Sequence, residues 1–94
     1  MDIEIRREEG PTSGLYVAKL EGEKGEMTYR REQGDLVVIE RTEVAEALRG
    51  RGVGEALVER GVSDAREEGR RIKAECPYAR KQIERHPEWR EVLA

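Results

Sequence analysis

The spacing of apolar residues changes near residue 49, and that change is the strongest constraint on what this chain can fold into. Before it, short runs with β character are cut by Gly10, Gly14, Gly22, Gly25 and Gly34. Ile3 and Ile5 alternate with charged residues. Residues 15–20 read as a strand, and Met27 and Tyr29 share one face of 26–30. After a Gly34-Asp35 turn, Leu36-Val37-Val38-Ile39 is a continuous, largely β-branched run, the pattern of a strand buried on both faces. Four strands with tight links predict an antiparallel meander.

After residue 49 the period becomes helical. Val53, Leu57, Val58, Gly61, Val62 and Ala65 form one stripe, and Gly69 closes it as a C′ residue. Gly61 inside that stripe costs about 1 kcal/mol against Ala, so it predicts close approach of the helix to a sheet. Residues 71–76 alternate as a short strand. Pro77 then opens a second helix with Ala79 and Ile83 inward, and His86-Pro87 ends it. A last turn carries Trp89, Val92 and Leu93. Residues 1–94 thus read as one α/β domain. Its sheet is mostly antiparallel, and its last two strands run parallel because a helix joins them.

Composition makes the core thin: 41% of residues are charged, 36% hydrophobic, and mean hydropathy is −0.85. The 94 residues are too few for a (β/α)₈ barrel or a full dinucleotide-binding fold. The 18 basic and 21 acidic residues nearly cancel, which argues against disorder. Acid dominates residues 1–48, whereas Arg70, Arg71, Lys73, Arg80, Lys81 and Arg85 make 70–85 basic. That cluster suits a phosphate, but a pI near 5.3 is too low for a general nucleic-acid binder. The single cysteine, Cys76, excludes an internal disulfide or a cysteine-based zinc site, and no metal is expected. The charged N-terminus and the lack of a long apolar run predict a cytoplasmic protein with no membrane partner.

The chemistry concentrates in Arg49-Gly50-Arg51-Gly52-Val53-Gly54, between the continuous strand and the first helix. No Gly-Lys-Ser/Thr ends it, so it is not a Walker loop, and Glu55 stands where a dinucleotide fingerprint needs its third glycine. Glycines here let backbone N–H groups point together at a ligand, and the helix behind adds a positive dipole end. With Arg49 and Arg51, the segment reads as a pyrophosphate cradle; the alternative is a tight turn with charged decoration.

Arg49-x-x-Gly52-x-Gly54 resembles the Gln/Arg-x-x-Gly-x-Gly/Ala pattern of the GCN5-related N-acetyltransferases (GNAT). Thr42-Glu43-Val44, Leu57-Val58, Ala65-Arg66, Cys76-Pro77-Tyr78 and His86-Pro87-Glu88-Trp89 extend the likeness over nearly the whole chain. The ordered set is similar to the small, single-cysteine CG-type subgroup. The resemblance implies a transferase that uses acetyl-CoA as co-substrate and acetylates an amine, either a small molecule or a lysine. It implies a mostly antiparallel sheet with a splayed, central parallel strand pair, here residues 36–43 and 71–76. Backbone groups of Glu43 and Val44 would meet pantetheine, and Arg49, Gly50, Arg51, Gly52, Val53 and Gly54 would hold the pyrophosphate. A non-catalytic acyl-CoA sensor is the alternative.

Three residues are candidates for catalysis: Cys76 as a leaving-group acid or nucleophile, Tyr78 as the acid that protonates the thiolate, and Glu43 as a base through water. Each has a plainer role open to it, as a buried small side chain, a packed ring and a surface carboxylate. His86, the only histidine, reads as a helix cap. Larger relatives insert acceptor-side helices between the first two strands, where this chain has only residues 8–14. The acceptor side is therefore open, or completed by a second subunit in a homodimer rather than a monomer.

Overall fold

The computed structural model describes residues 3–94. Strands β1 (Glu4–Glu9), β2 (Ser13–Leu20), β3 (Glu23–Glu32) and β4 (Leu36–Val44) form the antiparallel meander. Helix α1 (Val53–Glu68) crosses to β5 (Arg71–Ala74), which pairs parallel with β4 from Leu36↔Arg71 to Ile39↔Ala74. Helix α2 (Pro77–Arg85) and a 3₁₀ turn (Pro87–Val92) follow. The parallel pair is not central. β5 is the last strand of the sheet, and Leu93 adds only an isolated bridge to Ile72. Among the described residues, no helix is long and apolar enough to cross a membrane.

The helical stripe is buried in full, and Gly69 ends α1 in the left-handed region at φ 69°. Both helices pack on one face of the sheet, over Tyr16, Met27, Tyr29, Ile39 and Ile72. Val17 and Val38 are buried outside that cluster, on the other face. Val38 is covered there by charged side chains rather than a second layer. Arg30, directly opposite it, reaches Glu32, Glu40 and Glu75 at 2.9, 3.2 and 3.0 Å.

Two glycines taken for punctuation lie inside strands. Gly14 sits opposite Tyr29, and a Cβ there would stand 2.2 Å from its ring. Gly25 admits Val44 and Val53. A third difference positions the site. Thr28 pairs with Arg41 but Tyr29 pairs with Ile39, so Glu40 is an extra residue in β4. Such a bulge inverts which side chains face the core. Thr42 and Val44 therefore lie with Met27 and Gly25 on the helix side, and Glu43 lies on the open face.

Candidate functional site

The bulge falls where β4 loses its partner. β5 stops at Ala74, two residues short of the predicted 76, and Glu75 and Cys76 both donate their N–H groups to Ile39 O at 3.0 and 3.2 Å. Pro77 has no N–H to continue the ladder, and Cys76 is the N-cap of α2. The end of β4 is left unpaired on its β5 side. Thr42, Glu43 and Val44 there form one wall of a cavity of about 660 Å³. The glycine turn and the start of α1 form the second wall; Tyr78, Gln82 and Arg85 of α2 form the third.

The turn is anchored by buried Leu48, which accepts the Arg51 N–H at 3.1 Å. Gly50 and Gly52 have φ of 79° and 81°, and open space lies where their Cβ atoms would be. They are glycines because the backbone is left-handed there. Gly52 is the N-cap of α1, and no side chain caps the helix. The first amides of α1 have no intrahelical acceptor, and Val53, Gly54 and Glu55 line the cavity. Uncapped amides at the positive end of a 16-residue helix are built to receive an anion.

Gly54 has a different reason. Its helical Cβ would stand 2.5 Å from Tyr78 Oη, so its smallness makes room for the tyrosine. Burial, and then the charge of Glu55, push the Tyr78 phenol above its ordinary pKa. It remains a protonated donor at neutral pH. Glu55 itself lies 3.4 Å from His86 Nε2. His86 caps α2 as predicted: Nδ1 is 2.8 Å from Gln82 O, and the ring stacks on Trp89.

Of the residues singled out from sequence, Glu43, Val44, Arg49, Gly50, Gly52, Val53, Gly54 and Tyr78 line the cavity. Arg51 and Cys76 do not. The Arg51 guanidinium turns to Glu21, in the β2–β3 hairpin, at 2.7 and 3.4 Å. Cys76 is buried, and its thiol donates toward Thr42 Oγ1 at 3.7 Å. The Glu43 carboxylate pairs with Arg41 at 2.7 Å on the open face. The basic cluster does not gather at the cavity. Arg70 and Arg71 stand at the far end of β5, on Glu68 and on Leu93 O, and Arg80 holds Ala74 O. Arg85 alone of the six lines the cavity. Thr42, Leu48, Glu55 and Gln82 line it too, although the sequence alone does not assign them to the site. Tyr78, Gln82 and Arg85 follow i, i+4, i+7 spacing, which marks one face of a helix.

Residues 15–92 match the family described as GCN5-related N-acetyl-transferase. Solved structures agree. A GCN5-like candidate N-acetyltransferase from Staphylococcus aureus is 28% identical, with TM-score 0.72 over 97% of this chain and 87% of that one. An IAA acetyltransferase from Bacillus cereus is also 28% identical (TM-score 0.60), covering 67% of this chain and 43% of its own. A Bacillus subtilis acetyltransferase in complex with CoA shares the fold at 18% identity and TM-score 0.66, over 78% and 64% of the two chains. No curated protein sequence matches.

Proposed function

The chain belongs to the GCN5-related N-acetyltransferase family, and from that premise we propose that it binds acetyl-CoA in the cavity and transfers the acetyl group directly to an amine. One observation carries the reading: an uncapped helix N-terminus, reached through two left-handed glycines, opens into a cavity whose other wall is an unpaired strand end. The residues fit the co-substrate. Amides of Gly52, Val53 and Gly54 with Arg49 and Arg85 would hold the pyrophosphate, and backbone groups of Glu43 and Val44 would hold pantetheine. The co-substrate supplies the activated thioester.

Direct transfer requires a neutral amine to attack the thioester carbonyl and the sulfur to leave with its electron pair. Tyr78 is the donor to that sulfur in this reading, because it reaches the cavity and stays protonated; the proton the nitrogen sheds on becoming an amide passes to solvent, which restores the phenol. Cys76 has no direct part, since its thiol sits outside the lining and against Thr42. The acceptor enters from a side with no enclosing helix, as β1 and β2 are joined by Gly10, Pro11 and Thr12 alone. That openness supports an amine presented by a peptide or protein lysine as readily as a small one.

Titration calorimetry with CoA and acetyl-CoA tests the cradle. Wild type is expected to bind both, and Gly52→Glu to bind neither while keeping its circular dichroism. No binding by wild type at millimolar concentration would sink the reading. Thiol release over a panel of amines and lysine peptides then tests transfer; silence across the panel leaves an acyl-CoA sensor.

A further inference from the structure

Arg51 lies in the middle of the cradle sequence, yet its side chain is held across the surface by Glu21. Two features of Glu21 point to more than an ordinary surface ion pair. Glu21-Gly22 is a two-residue hairpin link with φ of 53° and 80°. Such turns favour Asn or Asp before the glycine, because a longer side chain is strained at positive φ. A glutamate stands there, and its carboxylate spans the gap to the glycine turn. Nor does the turn need the pair for its shape. Leu48 anchors it from the core, and the Arg51 amide is already bonded to Leu48 O.

We propose that Glu21 is an internal competitor for the anion, occupying Arg51 until a polyphosphate ligand draws it away and so setting the affinity and salt dependence of binding. The proposal rests on the reading of the turn as a CoA cradle. An exposed carboxylate–guanidinium pair is weak and easily exchanged, whereas a phosphate binds the same fork with more charge. Glu4 and Glu23 line the same hairpin groove as Glu21, with Lys19 and Lys24. Of those three carboxylates, the Glu21 one is bonded to Arg51.

Calorimetry with CoA at low and high salt tests this on four proteins: wild type, Glu21→Gln, Arg51→Ala and the double variant. Glu21→Gln is expected to tighten binding about two- to fivefold at low salt, and the gain should vanish at high salt. In the Arg51→Ala background the same change should have no effect. Unchanged or weaker binding by Glu21→Gln would overturn the proposal, and weaker binding would make Glu21 a support for the turn. A gain that persists without Arg51 would also overturn it, as general charge repulsion. If wild type binds CoA and Glu21→Gln matches it, only this inference fails; if wild type does not bind, the proposed function fails with it. Thermal melts without ligand confirm that each variant is folded.

Discussion

The two ends of α1 are built on opposite plans. At its N-terminus the amides are uncapped, two glycines take left-handed backbone, and a cavity lies open. Along its C-terminal half the polar groups are nearly saturated. Arg7 reaches Glu68 at 2.5 Å, Glu9 at 2.7 Å, Asp64 at 3.3 Å and Tyr29 Oη at 3.0 Å. Its guanidinium also lies over the Tyr16 and Tyr29 rings. Tyr16 donates to Asp64, Tyr29 donates to Glu9, and Arg31 pairs with Glu9. Among the described residues, Arg31 Nε is the one buried side-chain polar atom without a partner. A thin core is thus completed by a polar network at one end, which leaves the other end free to keep donors for a ligand.

The comparison breaks first at Arg7. Its removal takes the shared cation from three partly buried carboxylates, each of which keeps another partner, so Arg7→Ala is expected to cost about 1–3 kcal/mol of stability. CoA affinity should be unchanged in the folded fraction. Chemical denaturation with parallel calorimetry checks both, and a variant as stable as wild type would remove the network from the account. The same network predicts an acid response. Burial pushes the Glu9 carboxyl up, but Tyr29, Arg7 and Arg31 outweigh it and bring it below its usual 4.5. The Arg7 hydrogen bond lowers Glu68 against burial. Groups with depressed folded values contribute stability above their unfolded pKa and lose it as pH falls through the folded one. Stability should therefore decline below about pH 4.5, with a shallower slope in Arg7→Ala.

At the open end the largest effect belongs to Tyr78. Tyr78→Phe keeps the ring and removes the hydroxyl with its proton, so turnover should fall about 100-fold with CoA affinity within about twofold. Equal losses in both would assign the tyrosine to binding. Unchanged turnover would move the proton-donating role elsewhere.

The sequence made some parts of this molecule legible and hid others for a physical reason. The strand meander, the stripe of α1, the Gly69 stop, the Pro77 start and the His86 cap are local patterns, and each is where the spacing put it. The Glu40 bulge is not local. Nothing around Glu40 distinguishes it from an ordinary strand residue, and the extra residue appears only in pairing with β3. Yet it decides that Thr42 faces the helices and that the Glu43 carboxylate faces Arg41 on the open sheet. The direction of Arg51 was hidden likewise, because Glu21 is 30 residues away. Backbone features of the cradle could be read from glycine spacing; the aim of individual side chains depended on strands that meet only in the fold.

The smallest expected effect separates two glycines that look alike in sequence. Gly54 and Gly61 are both in α1 and both buried, Gly54 as its second residue and Gly61 in its interior. A Cβ at Gly54 meets the Tyr78 ring and hydroxyl at 2.5–2.9 Å, whereas one at Gly61 meets the Met27 methyl alone, at 2.9 Å. In the helix interior, at Gly61, alanine gains about 1 kcal/mol of helix propensity; in the first turn, at Gly54, it gains less. At Gly61 that gain is offset by a small shift of a flexible thioether, so Gly61→Ala should change stability by less than about 1 kcal/mol. At Gly54 the rigid ring must leave, so Gly54→Ala should reproduce much of the Tyr78→Phe loss in turnover while the helix is not weakened. Thermal melts and turnover on the two alanine variants decide it. Equal turnover in both would mean that Gly54 does not serve Tyr78.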